Sequence, residues 1–253
     1  MTPPAAQRLA LFGSTGRMGQ AIVQAMRGAP HWQLGAAVAS AHSAHLGKDA
    51  VNDGEPIGVL VSSDAPRALE GATVAMDFGT ASAVGAHAQA CAAAGVPLLV
   101  GATGLDEAAR QALRVAAERI AVLIAPNTSV GVGALRELVA SAARRLGPDW
   151  DIQILEAHHR DKRDAPSGTA LALAEAIAQG ASISPASIGF AVVRAGDIVG
   201  EHTVIFASAG ERLEFTHRAT DRRAFAHGAL RAGEWLAAKP PGLYSMHHVA
   251  NQT

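Results

Sequence analysis

The first half of this chain alternates short apolar runs with Ala-rich helical stretches, and a glycine-rich turn joins the first two. Residues 8–12 read as a strand, Gly13-Ser-Thr-Gly-Arg-Met-Gly19 follows, and 20–26 continue as a helix ending near Gly28. A second strand is expected at 32–38 and further strands at 59–62, 74–78, 97–100 and 120–124, with helical stretches such as 83–94 and 107–118 between them. Few folds accept such a pattern. Strands joined by helices lie parallel, because a crossover of that length is what parallel neighbours require. The expected class is α/β, with a Rossmann-like, doubly wound parallel sheet.

In open sheets of this kind, ligands bind outside the carboxyl ends of the strands. The segments 13–19, 78–80, 101–103 and 125–128 all fall there. The glycine spacing is G-x-x-G-x-x-G, not the usual G-x-G-x-x-G, so the motif alone is a weak signal that an ordinary strand-to-helix turn would also satisfy. Its context favours a dinucleotide: it follows a strand, opens a helix and lets a pyrophosphate approach the helix N-terminus. Gly13, Ser14, Thr15, Gly16, Arg17 and Met18 are therefore candidate cofactor residues, with Gly101, Ala102, Thr103, Ala125, Pro126, Asn127 and Thr128 from the other loops. A solvated first-turn side chain is the plain alternative for Arg17. After the second strand stand Ala39 and Ser40, where a carboxylate would grip the ribose of NAD. Without that charge, a 2′-phosphate meets no repulsion, and Ser40, His42 or Arg17 could bind it. NADPH is the expected preference, with NADH left open.

A second site lies at Glu156-Ala-His-His-Arg-Asp-Lys-Arg-Asp-Ala-Pro-Ser-Gly-Thr-Ala170. Ile152 and Ile154 alternate as in a strand over 151–156, so His158 and His159 are expected just past its end. The stretch 170–179 is built of helix formers, with Pro166 and Ser167 where a helix begins. Backbone N–H groups of Gly168 and Thr169 would attract a carboxylate or phosphate. A histidine titrates near neutral pH, and a lysine can donate a proton where its surroundings lower its pKa. Proton chemistry on an acidic ligand is implied. Metal ligation by His158 and His159 with Asp161 is the alternative; no thiolate or further histidine completes a set, so no metal is expected. Taken alone, Lys162 could be a solvated loop charge, and Glu156 could orient a loop histidine. His217, His227, His247 and His248 read as surface or structural.

The chain's 253 residues suit two modest domains. A net charge of −1 with no long basic run excludes the footprint of a nucleic-acid binder. Cys91 is the only cysteine, so an intrachain disulfide is impossible, and its Ala-rich setting reads as a buried small hydrophobe. No signal peptide or membrane span is visible, and a cytoplasmic protein is expected. From Asn127 a long helix leads away from the first domain, with a hinge near 127–129. Strands at 188–193, 202–207 and 212–218 suggest an antiparallel meander. Phe225, Ala229, Ala232 and Leu236 share a helical face, and 239–244 breaks that helix. The expected division is a dinucleotide domain, 1–126 with 238–253, and an α+β substrate and oligomerisation domain with an antiparallel or mixed sheet, 127–237.

These features together resemble the 4-hydroxy-tetrahydrodipicolinate reductase family, also called dihydrodipicolinate reductases. The 156–170 run looks like the family signature, supported by Gly13–Gly19, Asn127-Thr-Ser-Val-Gly-Val132, Arg194-Ala-Gly-Asp-Ile-Val-Gly-Glu-His202 and Gly210-Glu-Arg-Leu-Glu214. The resemblance implies hydride transfer from NADPH or NADH to a dicarboxylate ring, with loss of its 4-hydroxyl as water, in diaminopimelate and lysine biosynthesis. It implies His158 as proton donor or acceptor, Lys162 as second donor, substrate binding by His159, Gly168 and Thr169, and a homotetramer formed through the meander sheets. Ala39 and Ser40 depart from the acidic residue and arginine that the family often carries, and the chain is short between Gln179 and Ile188. Two other readings keep the first domain. An amino-acid dehydrogenase has no need of His158, His159 and Lys162 beside Ser-Gly-Thr, and a non-catalytic nucleotide sensor could dispense with Lys162.

Overall fold

Leu9 and Leu11 face one side of the first strand and Ala10 and Phe12 the other, and all four are fully buried. A strand covered on both faces has that signature. The computed structural model describes residues 6–250; residues 1–5 and 251–253 of the expected division lie outside the described residues. In chain order the elements are β1 (Gln7–Phe12), α1 (Arg17–Met26), β2 (Trp32–Val38), β3 (Val61–Ser62), α2 (Ala65–Ala68), β4 (Val74–Asp77), α3 (Ala81–Ala94), β5 (Leu98–Val100), α4 (Glu107–Ala117) and β6 (Ala121–Ile124). Then come α5 (Val130–Leu146), β7 (Asp151–His158), α6 (Gly168–Ala181), β8 (Gly189–Arg194), β9 (Gly200–Ser208), β10 (Glu211–Ala219), α7 (Arg223–Ala237), β11 (Gly242–Ser245) and α8 (Met246–Ala250).

The chain divides into two units, one comprising Met1–Thr128 with Phe225–Thr253 and the other Ser129–Ala224. The first holds a seven-stranded sheet in the order β11-β6-β5-β4-β1-β2-β3, every pairing parallel. That is the doubly wound order expected, with β11 added at one edge. α1 and α7 pack on one face through Ile22, Val23, Ala229 and Leu236, and α3 and α4 on the other through Val84, Ala88 and Leu113. Cys91 is buried in the second of these layers, where burial pushes its thiol up to about 12, so it is inert as a nucleophile. α7 differs from expectation: the division drawn from sequence placed 225–237 in the second domain. Its apolar face, Ala226, Ala229, Ala232 and Leu236, lies instead in the core around Leu9, Leu11 and Trp32.

The second unit holds a four-stranded sheet in the order β10-β9-β7-β8. The last three strands therefore do not form a continuous meander. β7 stands between β8 and β9, pairing parallel with the first and antiparallel with the second. The physical reason is α6, which supplies the long crossover that a parallel β7–β8 pair needs. β9 and β10 form the hairpin expected, turning at Gly210, whose φ is +94°. α5 and α6 cover one face through Leu135, Val139, Leu173 and Ile177, packed on Ile152, Ile154, Val204 and Phe206. By strand alternation Leu155 and Val193 share the opposite face, and both are exposed.

Candidate active site

In the first unit the carboxyl ends of the strands are drawn together by backbone. Gly13 has φ +73°, and a Cβ there would stand 2.6 Å from the Gly79 nitrogen and the Phe78 carbonyl carbon. Only glycine fits both the conformation and the contact. Gly13 and Ser14 N–H both donate to the Val38 carbonyl, at 2.9 and 3.1 Å, tying the turn to the end of β2 just before Ala39. Gly16 caps α1 with extended backbone and no side-chain hydrogen bond, which leaves the first-turn amides for an anion. A Cβ on Gly19 would collide with the Gly13 carbonyl oxygen. This cradle, which side chains would fill, fits a dinucleotide pyrophosphate.

Not every residue expected there offers a side chain. The Ser14 hydroxyl is buried and donates to the Val38 carbonyl at 3.2 Å. Ala102, Ala125 and Thr128 are buried too, and Thr128 Oγ1 donates to the Phe225 carbonyl at 2.7 Å. Gly16, Arg17, Ser40, Thr103 and Pro126 are exposed, while Thr15, Met18, Ala39, Gly101 and Asn127 are half-buried. Gly101 is required for another reason, since a Cβ there would overlap the Phe78 ring. Sequence reading missed Asp77, a fully buried carboxylate ending the apolar β4. Its Oδ1 accepts from Gly79 N–H at 2.8 Å and its Oδ2 lies 2.7 Å from His87 Nδ1, so it holds the turn that Gly13 touches. A lone charge at the end of a buried strand was the available signal.

In the second unit the polar residues gather at the carboxyl end of β7. The strand runs two residues further than expected, so His158 is its last residue and points with Glu156 to the same face. Glu156 is wholly buried, and its two oxygens meet donors from three residues. Oε2 lies 2.5 Å from His158 Nδ1, Oε1 accepts from Ser167 N–H at 3.0 Å, and Arg194 adds a two-pronged pair at 2.8 and 2.7 Å. Burial alone would push the carboxyl up; Arg194, His158 and the Ser167 amide outweigh it and hold it below the usual carboxylate range. An ionised Glu156 only accepts, so His158 Nδ1 carries the proton.

Burial above all keeps the His158 imidazole below its ordinary value, although Glu156 works the other way. The neutral ring then leaves Nε2 as its acceptor. That atom faces Gly200, where a Cβ would come within 3.2 Å. Lys162 is half-buried, its Nζ 2.8 and 2.7 Å from the two carboxylate oxygens of Asp164. Ser167 caps α6, its Oγ accepting from Ala170 N–H at 3.2 Å, so Gly168 and Thr169 are the first helical residues. A Cβ on Gly168 would meet nothing within 4 Å, so the approach to its backbone is open. His159 is half-buried beside this loop. Among the described residues no group of three or more His, Cys, Asp or Glu side chains is gathered to hold a metal ion.

Comparison with known proteins decides the lineage. Residues 7–128 match the family model for the dihydrodipicolinate reductase N-terminus and residues 131–250 that for its C-terminus. The chain belongs to the dihydrodipicolinate reductase family. A 4-hydroxy-tetrahydrodipicolinate reductase of Anaeromyxobacter dehalogenans is 46% identical, the match covering 96% of this chain and 97% of the relative. One from Thiobacillus denitrificans is 45% identical, again over 96% and 97%. A dipicolinate-bound dihydrodipicolinate reductase from a Paenisporosarcina species has the same fold, with a TM-score of 0.76 at 23% identity over 94% and 97% of the two chains. This reductase is thus an NAD(P)H-dependent oxidoreductase of diaminopimelate and lysine biosynthesis, reducing 4-hydroxy-tetrahydrodipicolinate to tetrahydrodipicolinate with loss of water.

His202 of the reductase also belongs to the site, although the sequence shows it only as the end of a motif. It is almost wholly buried, its Nε2 lies 3.2 Å from Ser167 Oγ, and its ring stands edge-on to His158 with centroids 5.2 Å apart. Burial, with His158 adding to it, lowers its pKa to about 3, so the ring is neutral. His217 is half-buried with Nε2 3.3 Å from Ser129 Oγ, the cap of α5.

Proposed function

We propose that His158 and Lys162 are the proton-handling pair of this reductase, and that His159, Gly168 and Thr169 bind the substrate's carboxylates. The hydrogen bond between Glu156 and His158 carries this reading, because it protonates Nδ1 and leaves Nε2 as an acceptor aimed away from its support. Lys162, a donor without acceptor capacity, complements it. The open start of α6 at Gly168 suits a carboxylate, and the family member from Paenisporosarcina is described as dipicolinate bound.

The residues of the Gly13–Met18 turn, with Ala39, Ser40, Gly101–Thr103 and Ala125–Thr128, hold the dinucleotide in this reading, mainly through backbone. The bound nicotinamide supplies the hydride. Departure of the 4-hydroxyl as water consumes a proton, which Lys162 is there to deliver, while the neutral His158 offers Nε2 as the proton acceptor of the pair. NADPH is the preferred donor, since neither Ala39 nor Ser40 repels a 2′-phosphate. We also place the enzyme in the cytoplasm, in keeping with a biosynthetic family, and in a homotetramer. Exposed Leu155 and Val193 on the uncovered sheet face support self-association; light scattering that gives a monomer overturns it.

The test of the proton assignment follows NADPH oxidation with freshly generated substrate for wild type, His158→Gln and Lys162→Ala. General acid or base groups contribute ~10²–10⁴-fold, and each variant should lose on that order. Unchanged turnover removes the residue from the mechanism.

A further inference from the structure

Arg194 closes β8 and touches the supports of both proton-handling residues. Its terminal nitrogens take the two Glu156 oxygens at 2.8 and 2.7 Å. One of them also donates to the Asp164 carbonyl at 2.7 Å, and Nε donates to the Lys162 carbonyl at 3.2 Å. Glu156 in turn holds His158 Nδ1 and Ser167 N–H, while Asp164 holds Lys162 Nζ. One guanidinium therefore reaches, through one partner each, His158, Lys162 and the cap of α6.

In the loop between β7 and α6, Arg160 N–H donates to the Gly196 carbonyl at 3.2 Å and Lys162 N–H to the His159 carbonyl at 3.1 Å. The cross-links from Arg194 fix the segment that carries Lys162 at the same time as they fix the carboxylate that orients His158. Only a planar fork can do both, since an ammonium is a point donor without parallel N–H groups. We propose that Arg194 is the positioning residue of this reductase, setting His158, Lys162 and the α6 N-terminus in one geometry without touching substrate. The inference rests on the assignment of His158 and Lys162 made above.

The groups facing His158 are Glu156 from its own strand, Lys162 from the loop, Arg194 from β8 and His202 from β9. Arg194 bears on the imidazole as a cation and as the neutraliser of Glu156, so its role has a signature that a merely structural residue lacks. Arg194→Gln removes a positive charge and leaves Glu156 less compensated, both of which raise the His158 pKa. Glu156→Gln removes the group that raises it and moves it down. Titration of the imidazole by nitrogen-15 NMR in the full-length enzyme reads both.

Arg194→Lys keeps the charge and loses the fork. Its kcat should fall on the order of 100-fold, as for misplaced catalytic groups, with dinucleotide affinity unchanged. Wild-type kcat in Arg194→Lys overturns the inference, as does a His158 titration in Arg194→Gln that stays put or moves down. Where Arg194→Gln does not fold, Arg194→Lys decides by its kcat against its dinucleotide affinity. If His158→Gln and Lys162→Ala keep full turnover, the proton assignment itself has failed; if they lose it while Arg194→Lys does not, only the role of Arg194 has failed.

Discussion

Glu156 Oε2 and His158 Nδ1 lie 2.5 Å apart at the end of β7, two residues apart on one face of the strand. The contact makes the carboxylate a determinant of the pH at which the imidazole becomes available as an acceptor. Glu156 raises the His158 pKa against the lowering by burial. Replacing it with Gln should therefore lower that pKa further, and the acid limb of the kcat/KM profile, where His158 gains its proton, should move to lower pH. A pH series of initial rates checks this. An acid limb that stays in place or moves upward would separate Glu156 from the titration.

His202 ties the same region to acid stability. Its folded value of about 3 lies below the ordinary 6.5, so the unfolded chain binds the proton more readily between those values. The contribution is present above about pH 6.5 and is lost as pH falls toward 3. At about 1.4 kcal/mol per pKa unit, roughly 3 kcal/mol should go between pH 7 and pH 4. His202→Gln, neutral throughout, should lose correspondingly less over the same interval. Urea unfolding at the two pH values tests it, and equal losses in both proteins contradict it.

Ala39 stands just beyond the last residue of β2, whose Val38 carbonyl receives Gly13 and Ser14 N–H. A carboxylate placed there would sit beside the turn proposed for the pyrophosphate and favour ribose hydroxyls over a 2′-phosphate. Ala39→Asp should accordingly shift kcat/KM toward NADH by on the order of tenfold or more, equivalent to ~1.4 kcal/mol. Steady-state kinetics with both nucleotides give the ratio. Comparable kcat/KM values for NADH and NADPH in the wild type would sink the reading of Ala39 and Ser40.

What could be read beforehand follows from how local each signal is. The parallel sheet was legible because β1 to β6 and most of the helices between them announce themselves within short windows, as does the helix start at Ser167, whereas β11 was read only as a helix break because its partner β6 lies far back in the chain. Arg194 and His202 were visible only as letters of a motif: their partners are Glu156 and Ser167, brought near by the β7–β8 and β7–β9 pairings, and pairing is not written in either segment. The same blindness produced the meander, since nothing within 188–218 says that β7 will enter between β8 and β9. α7 was misplaced for a related reason. Its apolar stripe shows that it packs, but not which core receives it.

Gly13 and Gly28 flank α1 and should respond oppositely to alanine. At Gly13 the added methyl would meet the backbone of Phe78 and Gly79 at 2.6 Å, and φ +73° is itself strained for any L side chain. Neither neighbour can yield without moving the end of β4, where Asp77 Oδ1 grips Gly79 N–H. Gly13→Ala should cost about 1–3 kcal/mol of stability and abolish measurable dinucleotide binding, because the turn that approaches the pyrophosphate is the part displaced. At Gly28 the methyl would meet only the Ala25 carbonyl oxygen at 3.7 Å, an ordinary contact. Gly28→Ala should bind NADPH as the wild type does. Calorimetric titration of both variants discriminates local strain at the cradle from a general cost of filling glycines, and equal affinities would show that the Gly13 turn does not hold the nucleotide.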